Sequence, residues 1–298
     1  MPRLPVLPLL VLGSCYGPAL LTDGTSVSYG SASQGALRHG AELPLEGDGY
    51  EVAPSWRRRH ANYGTDELVD ALVRVGRRLA REFPGSEMVL GDLSYLGGRD
   101  SPRHHSHRNG RDVDVFYFAV DDQGKPLPPI DAMVPFAPDG RSRAWKQDGT
   151  WHTAHGRHFD EARNWGQVRA FLTDPGVEVQ WIFAHRELIR RMLGWAADHG
   201  EDPALVARAA AVMMQPLHAL PHDDHMHVRI YCDPTDRPFG CVDLGPERWM
   251  KKQLKYTGAR ALASLDGDTP AAAAVAQSLP PLVRWIASAH FSPVLGRW

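Results

Sequence analysis

Residues 112–120 read DVDVFYFAV. Charged and apolar side chains alternate over the first four positions, and the run then becomes wholly apolar. Period-two alternation marks a β-strand, whose successive side chains face opposite sides. A strand here carries Asp112 and Asp114 on one face and Val113 and Val115 on the other, as it enters a core. Just upstream lies HHSHRNGR, residues 104–111. Its Asn109-Gly110 pair favours a tight turn, and such a turn can swing His107 back beside the strand's aspartates.

A second stretch, HDDHMHVRI at residues 222–230, has the same character. On a strand from about His225 to Tyr231, His225 and His227 project together while Met226 and Val228 point into the core. Two histidines and a carboxylate around an open fourth position make a catalytic zinc site. Zinc lowers the pKa of a bound water to roughly 7, and a nearby imidazole can shuttle protons. Either cluster alone is a weak sign. Both in one chain, each at the start of an apolar strand, point to a metal site. Asp112 and Asp114 share a face, so spacing does not choose between them. Asp223 and Asp224 either orient a histidine or form a solvated turn. Isolated histidines such as His39, His60 and His199 read as surface or core residues.

The rest of the chain gives the fold class. Thr65 caps a helix whose Leu68, Leu72, Val75 and Leu79 recur at helical spacing, ending near residues 83–85. EMVLGDLSY (87–95) and VEVQWIFA (177–184) read as strands, and helices are expected from Asp160 to about Thr173, over 186–199 and over 203–214. His185 is expected to cap the helix that follows it. Residues 121–157 are Pro/Gly-rich without clear periodicity, which suits a binding surface. Helices and strands mix without a βαβ rhythm, so the expected class is α+β, a small antiparallel sheet flanked by helices.

The chain has 298 residues, 43% of them hydrophobic, enough for a sizeable core. A net charge of -2 gives no bulk attraction to nucleic acid, and the Arg57-Arg58-Arg59 triplet reads as a solvated surface. Residues 1–14 have the layout of a secretory leader, and Leu12-Gly13-Ser14-Cys15 resembles a lipobox that would make Cys15 a lipidated anchor. A plain signal peptide or a mis-assigned start is the other reading. In an exported chain, Cys232 and Cys241 should form a disulfide across their turn-rich loop. The expected organisation is a leader over 1–14, a linker over 15–26, a domain over 27–258 and a peripheral tail over 259–298. A short helix is expected in PERWMKKQL, residues 246–254.

His107-x6-Asp114 together with His225-x-His227 resembles the LAS group of zinc peptidases, and within it the penicillin-insensitive murein endopeptidases. SHRNGRDVDV is similar to that family's S-H-x-x-G-x-D-V-D signature and HDDHMHVRI to its H-D-x-H-x-H-V-R signature. Softer matches are GALRHGAELPLEGDGYEV, VLGDLS, FDEARNWGQVRAFLTDP and VQWIFA, so the likeness covers roughly residues 27–255. It implies an LAS-type core in which His107, Asp114 and His227 bind one zinc ion, with His225 as general base or stabiliser of the charged intermediate. It implies that His104, His222 and Asp112 surround the metal or touch substrate, and gives no role to His105. It also implies a periplasmic enzyme that cuts D-alanyl–meso-diaminopimelyl cross-links of peptidoglycan. This chain departs from the family in having cysteines for only one disulfide once its leader is removed.

Two other readings fit the residues. A D,D-carboxypeptidase of the same group would need a cation for the free carboxylate, and Arg99, Arg103 and Arg229 are available. A zinc-stabilised wall-binding module without catalysis would not need the non-ligand imidazole of His225.

Overall fold

The computed structural model describes residues 22–145, 151–216 and 219–245. The leader with Cys15, the helix expected in residues 246–254 and the tail over 259–298 lie outside them. The described residues begin with short strands: β1 (Val27–Gly30) and β2 (Gly35–Arg38) form a hairpin. β3 (Ala41–Glu42), β4 (Glu46–Gly47) and β5 (Tyr50–Val52) follow, then the single turn α1 (Pro54–Arg57) and β6 (Tyr63–Gly64).

The first long helix, α2 (Asp66–Glu82), starts where expected. Thr65 Oγ1 accepts the Leu68 N–H at 3.4 Å, and Asp66 and Glu67 sit in the first turn, where acidic groups favour the helix N-terminus. Leu68, Leu72, Val75 and Leu79 are all buried and form the apolar stripe.

After α2 come β7 (Met88–Leu90), β8 (Asp112–Phe116), β9 (Ala119–Val120), β10 (Arg141–Trp145) and β11 (Trp151–Phe159). The 112–120 run is therefore two strands. Its break is held by Asn164, whose side chain accepts from Phe118 N at 2.9 Å and donates to Phe118 O at 3.0 Å. Past the break the chain joins a separate sheet, β10-β11-β9. Most of the β10–β11 pair falls within residues 121–157, and periodicity does not reveal it, because its strands mix polar, charged and apolar residues without a sustained alternation.

Three helices interleave with the remaining strands: α3 (Glu161–Leu172), β12 (Val179–Phe183), α4 (Arg186–Asp198), α5 (Pro203–Val212), β13 (Met213–Met214) and β14 (His225–Ile230). Asp160 and Asp202 cap α3 and α5, and His185 caps α4 as expected, accepting from Glu187 N at 3.3 Å. Met213 and Met214 leave the expected helix to pair with β12. Trp165 on α3 is fully buried, with its Nε1 donating to Glu201 at 2.8 Å.

The class is α+β, with a larger and more mixed central sheet than expected. Its order is β13-β12-β14-β8-β7-β5-β4. Most neighbours are antiparallel, but β12–β13 and β5–β7 are parallel. β8 and β14 lie at its centre, and every residue of β8 is buried. On one face Val113 and Val115 stand opposite Val228 and Met226, forming a layer with α2 and α3 in the main core. The other face carries Asp112, Asp114, His225 and His227.

Cys232 and Cys241 are joined by a disulfide, as expected. The loop they close is pinned by the buried Arg111, whose guanidinium donates to Asp243 at 2.9 Å and to the Ile230 carbonyl at 2.8 Å.

Candidate metal centre

Three segments build the centre. β8 supplies Asp112 and Asp114. β14 supplies His225 and His227, with His227 directly across the ladder from Asp114. The 104–111 loop supplies His104 and His107. That loop turns back as the Asn-Gly pair suggested. Gly110 has φ 80°, and a Cβ there would meet Leu37 Cδ1 at 2.7 Å. His107 itself has φ 64°, uncommon for a residue with a side chain. Its N–H donates to Asp112 Oδ2 at 3.1 Å, and its carbonyl accepts from Ser94 Oγ at 2.6 Å, which fixes the strained conformation.

Each imidazole has one nitrogen engaged behind it. His107 Nδ1 faces the Leu93 carbonyl at 3.0 Å, so it must donate there and Nε2 keeps its lone pair. His227 Nε2 meets Asp112 Oδ1 at 2.9 Å, which leaves Nδ1 free. His225 Nδ1 meets Asp224 Oδ1 at 2.6 Å. Asp224 thus orients a histidine, one of the two roles expected for it. Asp112 Oδ1 also accepts from Arg229 Nε at 2.6 Å.

The free nitrogens converge on Asp114. Its Oδ1 lies 3.2 Å from His107 Nε2, 3.5 Å from His227 Nδ1 and 3.5 Å from His225 Nε2. Its Oδ2 lies 3.7 Å from His104 Nε2, a nitrogen that is not free, since it meets Asp92 Oδ2 at 2.9 Å. His107 Nε2 and both Asp114 oxygens are buried and lack hydrogen-bond partners. Orphaned buried polar atoms are rare and need an explanation, and here three of them meet at one place. Ligands 2.0–2.1 Å from a tetrahedral ion stand roughly 3.3 Å apart. The separations of His107 Nε2 and of His227 Nδ1 from Asp114 Oδ1 are close to that value. Among the described residues, the group of ligand atoms that all lie within 4.8 Å of one another comprises His104, His107 and Asp114 and does not include His227, so His104 stands nearer the metal position than expected.

The electrostatics agree. Burial alone would raise the Asp114 carboxyl, but His107, His225 and His227 outweigh it and hold the group well below the usual carboxylate range. Asp112 is also held well below that range, its burial outweighed by Arg229 and His227. Burial, reinforced by His107, pushes His227 down to about 4, and burial with His225 and His227 beside it pushes His222 down to about 3. Both are neutral at pH 7, as a nitrogen ligand must be. For His225 burial is outweighed by Asp114 and Asp224, which raise it. His107 is raised by Asp114 in the same way, so a proton and a cation compete for one place.

Two readings need correction. Asp223 is buried and paired with Arg143, so it is not a solvated turn. The arginine triplet is not a solvated surface as a whole. Arg57 pairs with Glu46 and Glu51, Arg59 pairs with Asp92, and Arg58 alone of the three is exposed. His222 joins the cluster, its ring centroid 5.1 Å from that of His225, while His105 is exposed. Sequence reasoning gave no role to Asp92, Leu93 and Ser94, which follow β7 and brace the His104–His107 loop. They entered only as part of the VLGDLS match.

A family model described as penicillin-insensitive murein endopeptidase matches residues 28–133, a span that contains His104, His107, Asp112 and Asp114. The chain resembles the penicillin-insensitive murein endopeptidases. It is 25% identical over 233 residues to the protein of that name from Haemophilus influenzae, covering 75% of this chain and 69% of the relative. With the Klebsiella pneumoniae protein of the same name it shares 24% over 232 residues, covering 75% and 72%. An Escherichia coli penicillin-insensitive murein endopeptidase is 33% identical over a shorter 94 residues, or 31% of this chain and 33% of the relative.

Proposed function

We propose that this chain is a zinc-dependent murein endopeptidase that hydrolyses peptide cross-links of peptidoglycan, of the D-alanyl–meso-diaminopimelyl type, in the periplasm. The observation that carries the reading is the buried Asp114 carboxyl, without hydrogen-bond partners and faced by the equally unpartnered Nε2 of His107 at 3.2 Å. The names of the relatives support the substrate class.

His107 Nε2, Asp114 and His227 Nδ1 would hold one zinc ion per chain. When bound, zinc supplies Lewis-acid polarisation of the scissile carbonyl and a water acidic enough to attack near neutral pH. His225 Nε2 faces the same point with its ring fixed by Asp224. It takes a proton as water attacks, hands it to the departing amine, and in its protonated form steadies the charge on the tetrahedral carbon's oxygen. Asp112 holds His227 in the tautomer that presents Nδ1, with Arg229 behind it. His222 is partly exposed and its ring lies 5.1 Å from that of His225, a place from which its exposed edge would meet substrate. The catalytic domain is proposed to span 27–258. Among the described residues no helix is long and apolar enough to cross a membrane, and a lipidated Cys15 would provide attachment.

Purified sacculi digested by the full chain provide the test, alongside a zinc stoichiometry. An endopeptidase converts cross-linked muropeptide dimers to monomers, and a chelator stops it. Shortened monomers would instead identify a carboxypeptidase. Binding that survives chelation without released fragments would identify a wall-binding module.

A further inference from the structure

His104 poses a problem for the proposed centre. One of its ring nitrogens lies within 4.8 Å of the ligand atoms of His107 and Asp114, and its Nε2 stands 3.7 Å from Asp114 Oδ2. A fourth protein ligand beside His107, Asp114 and His227 would complete a tetrahedron. Closed four-ligand zinc sites are structural, whereas catalytic ones keep a position open.

The structure holds an answer in Asp92, which is only 3% exposed. Asp92 Oδ2 lies 2.9 Å from His104 Nε2, against 3.7 Å from that nitrogen to Asp114 Oδ2. A carboxylate oxygen only accepts, so the His104 nitrogen facing it carries the hydrogen. A nitrogen that carries a hydrogen has no lone pair for a metal. The same Asp92 oxygen accepts from Arg59 at 2.8 Å, and the Arg59 guanidinium lies 4.2 Å over the ring of Trp56. Nor can Asp92 drift from the centre, because its carbonyl accepts from Asp114 N at 3.0 Å.

We propose that Asp92, backed by Arg59, is a positioning residue that withholds His104 from the metal and so keeps one coordination position free for water and substrate. This rests on the zinc reading above. Asp92 thereby decides whether the same set of side chains makes a working site or a closed one.

The test is zinc affinity, measured on the full chain by competition with a chelator. Asp92→Ala frees His104 Nε2 to ligate. It should bind zinc roughly tenfold more tightly, the scale on which outer partners of metal ligands act, while turnover on sacculi falls by a similar factor. The cobalt-loaded variant should show a changed visible spectrum as nitrogen replaces water. Asp92→Ala/His104→Gln should return to wild-type affinity. His104→Gln alone should bind zinc within about twofold of wild type, because His104 is not a ligand there, and this arm decides the matter if Asp92→Ala does not fold. Unchanged affinity in Asp92→Ala, or weakened binding in His104→Gln, overturns the proposal while leaving the zinc reading intact. A wild-type chain without zinc affinity removes both.

Discussion

His227 stands directly opposite Asp114 across the β8–β14 ladder, with its Nδ1 3.5 Å from Asp114 Oδ1. Strand pairing thus brings together two of the proposed ligands, and a loop adds the third. Asp114→Ala and His227→Ala should each lose zinc and hydrolysis together. The expected drop in metal affinity is at least about a hundredfold, since these residues are the proposed direct ligands and even outer partners cost 10–100-fold. Metal analysis after dialysis checks it, and stoichiometric zinc in either variant would contradict the ligand set.

His225 stands at the same 3.5 Å from Asp114 Oδ1 as His227, but the role proposed for it is proton transfer rather than ligation. His225→Ala should retain about one zinc per chain and lose roughly 10²–10⁴ in turnover, the range for a positioned acid–base group. Zinc content and sacculus digestion are measured on the same preparation. A zinc-free His225→Ala protein would show that His225 is a ligand.

Asp112 is fully buried and joins His227, Arg229 and the His107 N–H. Asp112→Ala should weaken zinc binding by roughly 10–100-fold. It should also lower stability by about 3–5 kcal/mol, because Arg229 loses the partner of a largely buried ion pair. Denaturant titration with and without zinc separates the two effects.

The folded pKa of His222 lies well below its ordinary value, at about 3. A depressed folded pKa means that the unfolded chain takes up this proton first as pH falls below roughly 6.5. Stability from this group is therefore complete above that pH and is lost as pH falls toward 3, by at most about 1.4 kcal/mol per unit. His222→Gln should show a smaller decline in Tm between pH 7 and pH 5 than the wild type. Chelator-treated protein is the sample, so that protons do not compete with metal.

The disulfide closes a short loop after β14. Cys232→Ser/Cys241→Ser should cost about 2–3 kcal/mol on the loop-entropy scale. The centre should stay active at 25 °C, because Arg111 and Asp243 still pin the segment. Thermal melts and room-temperature turnover together check this.

The parts of the fold written in hydrophobic period were legible. The α2 stripe, the alternation at 112–115 and the H-x-H step all specify a face, and a face is what periodicity encodes. The caps Thr65 and His185, and a helix start at Asp160, were legible for the same local reason. The β10–β11 hairpin was not, because its pairing with β9 is a long-range choice that leaves no period in a run of mixed character. Asp92 and Arg59 escaped notice because their meaning lies in partners 12 and 33 residues from Asp92, not in their neighbours. The choice of Asp114 over Asp112 shows the same limit. Both share a face, and what sets them apart is that Asp112 is engaged by Arg229, His227 and the His107 N–H while the Asp114 oxygens have no hydrogen-bond partner.

Among the described residues β14 is the last strand of the central sheet along the chain, and it brings both His225 and His227. A polypeptide still being made therefore holds only part of the proposed ligand set until that strand docks against β8. The hydrolysis proposed for the centre would then be withheld from unfinished or misassembled copies by the order in which the sheet is completed.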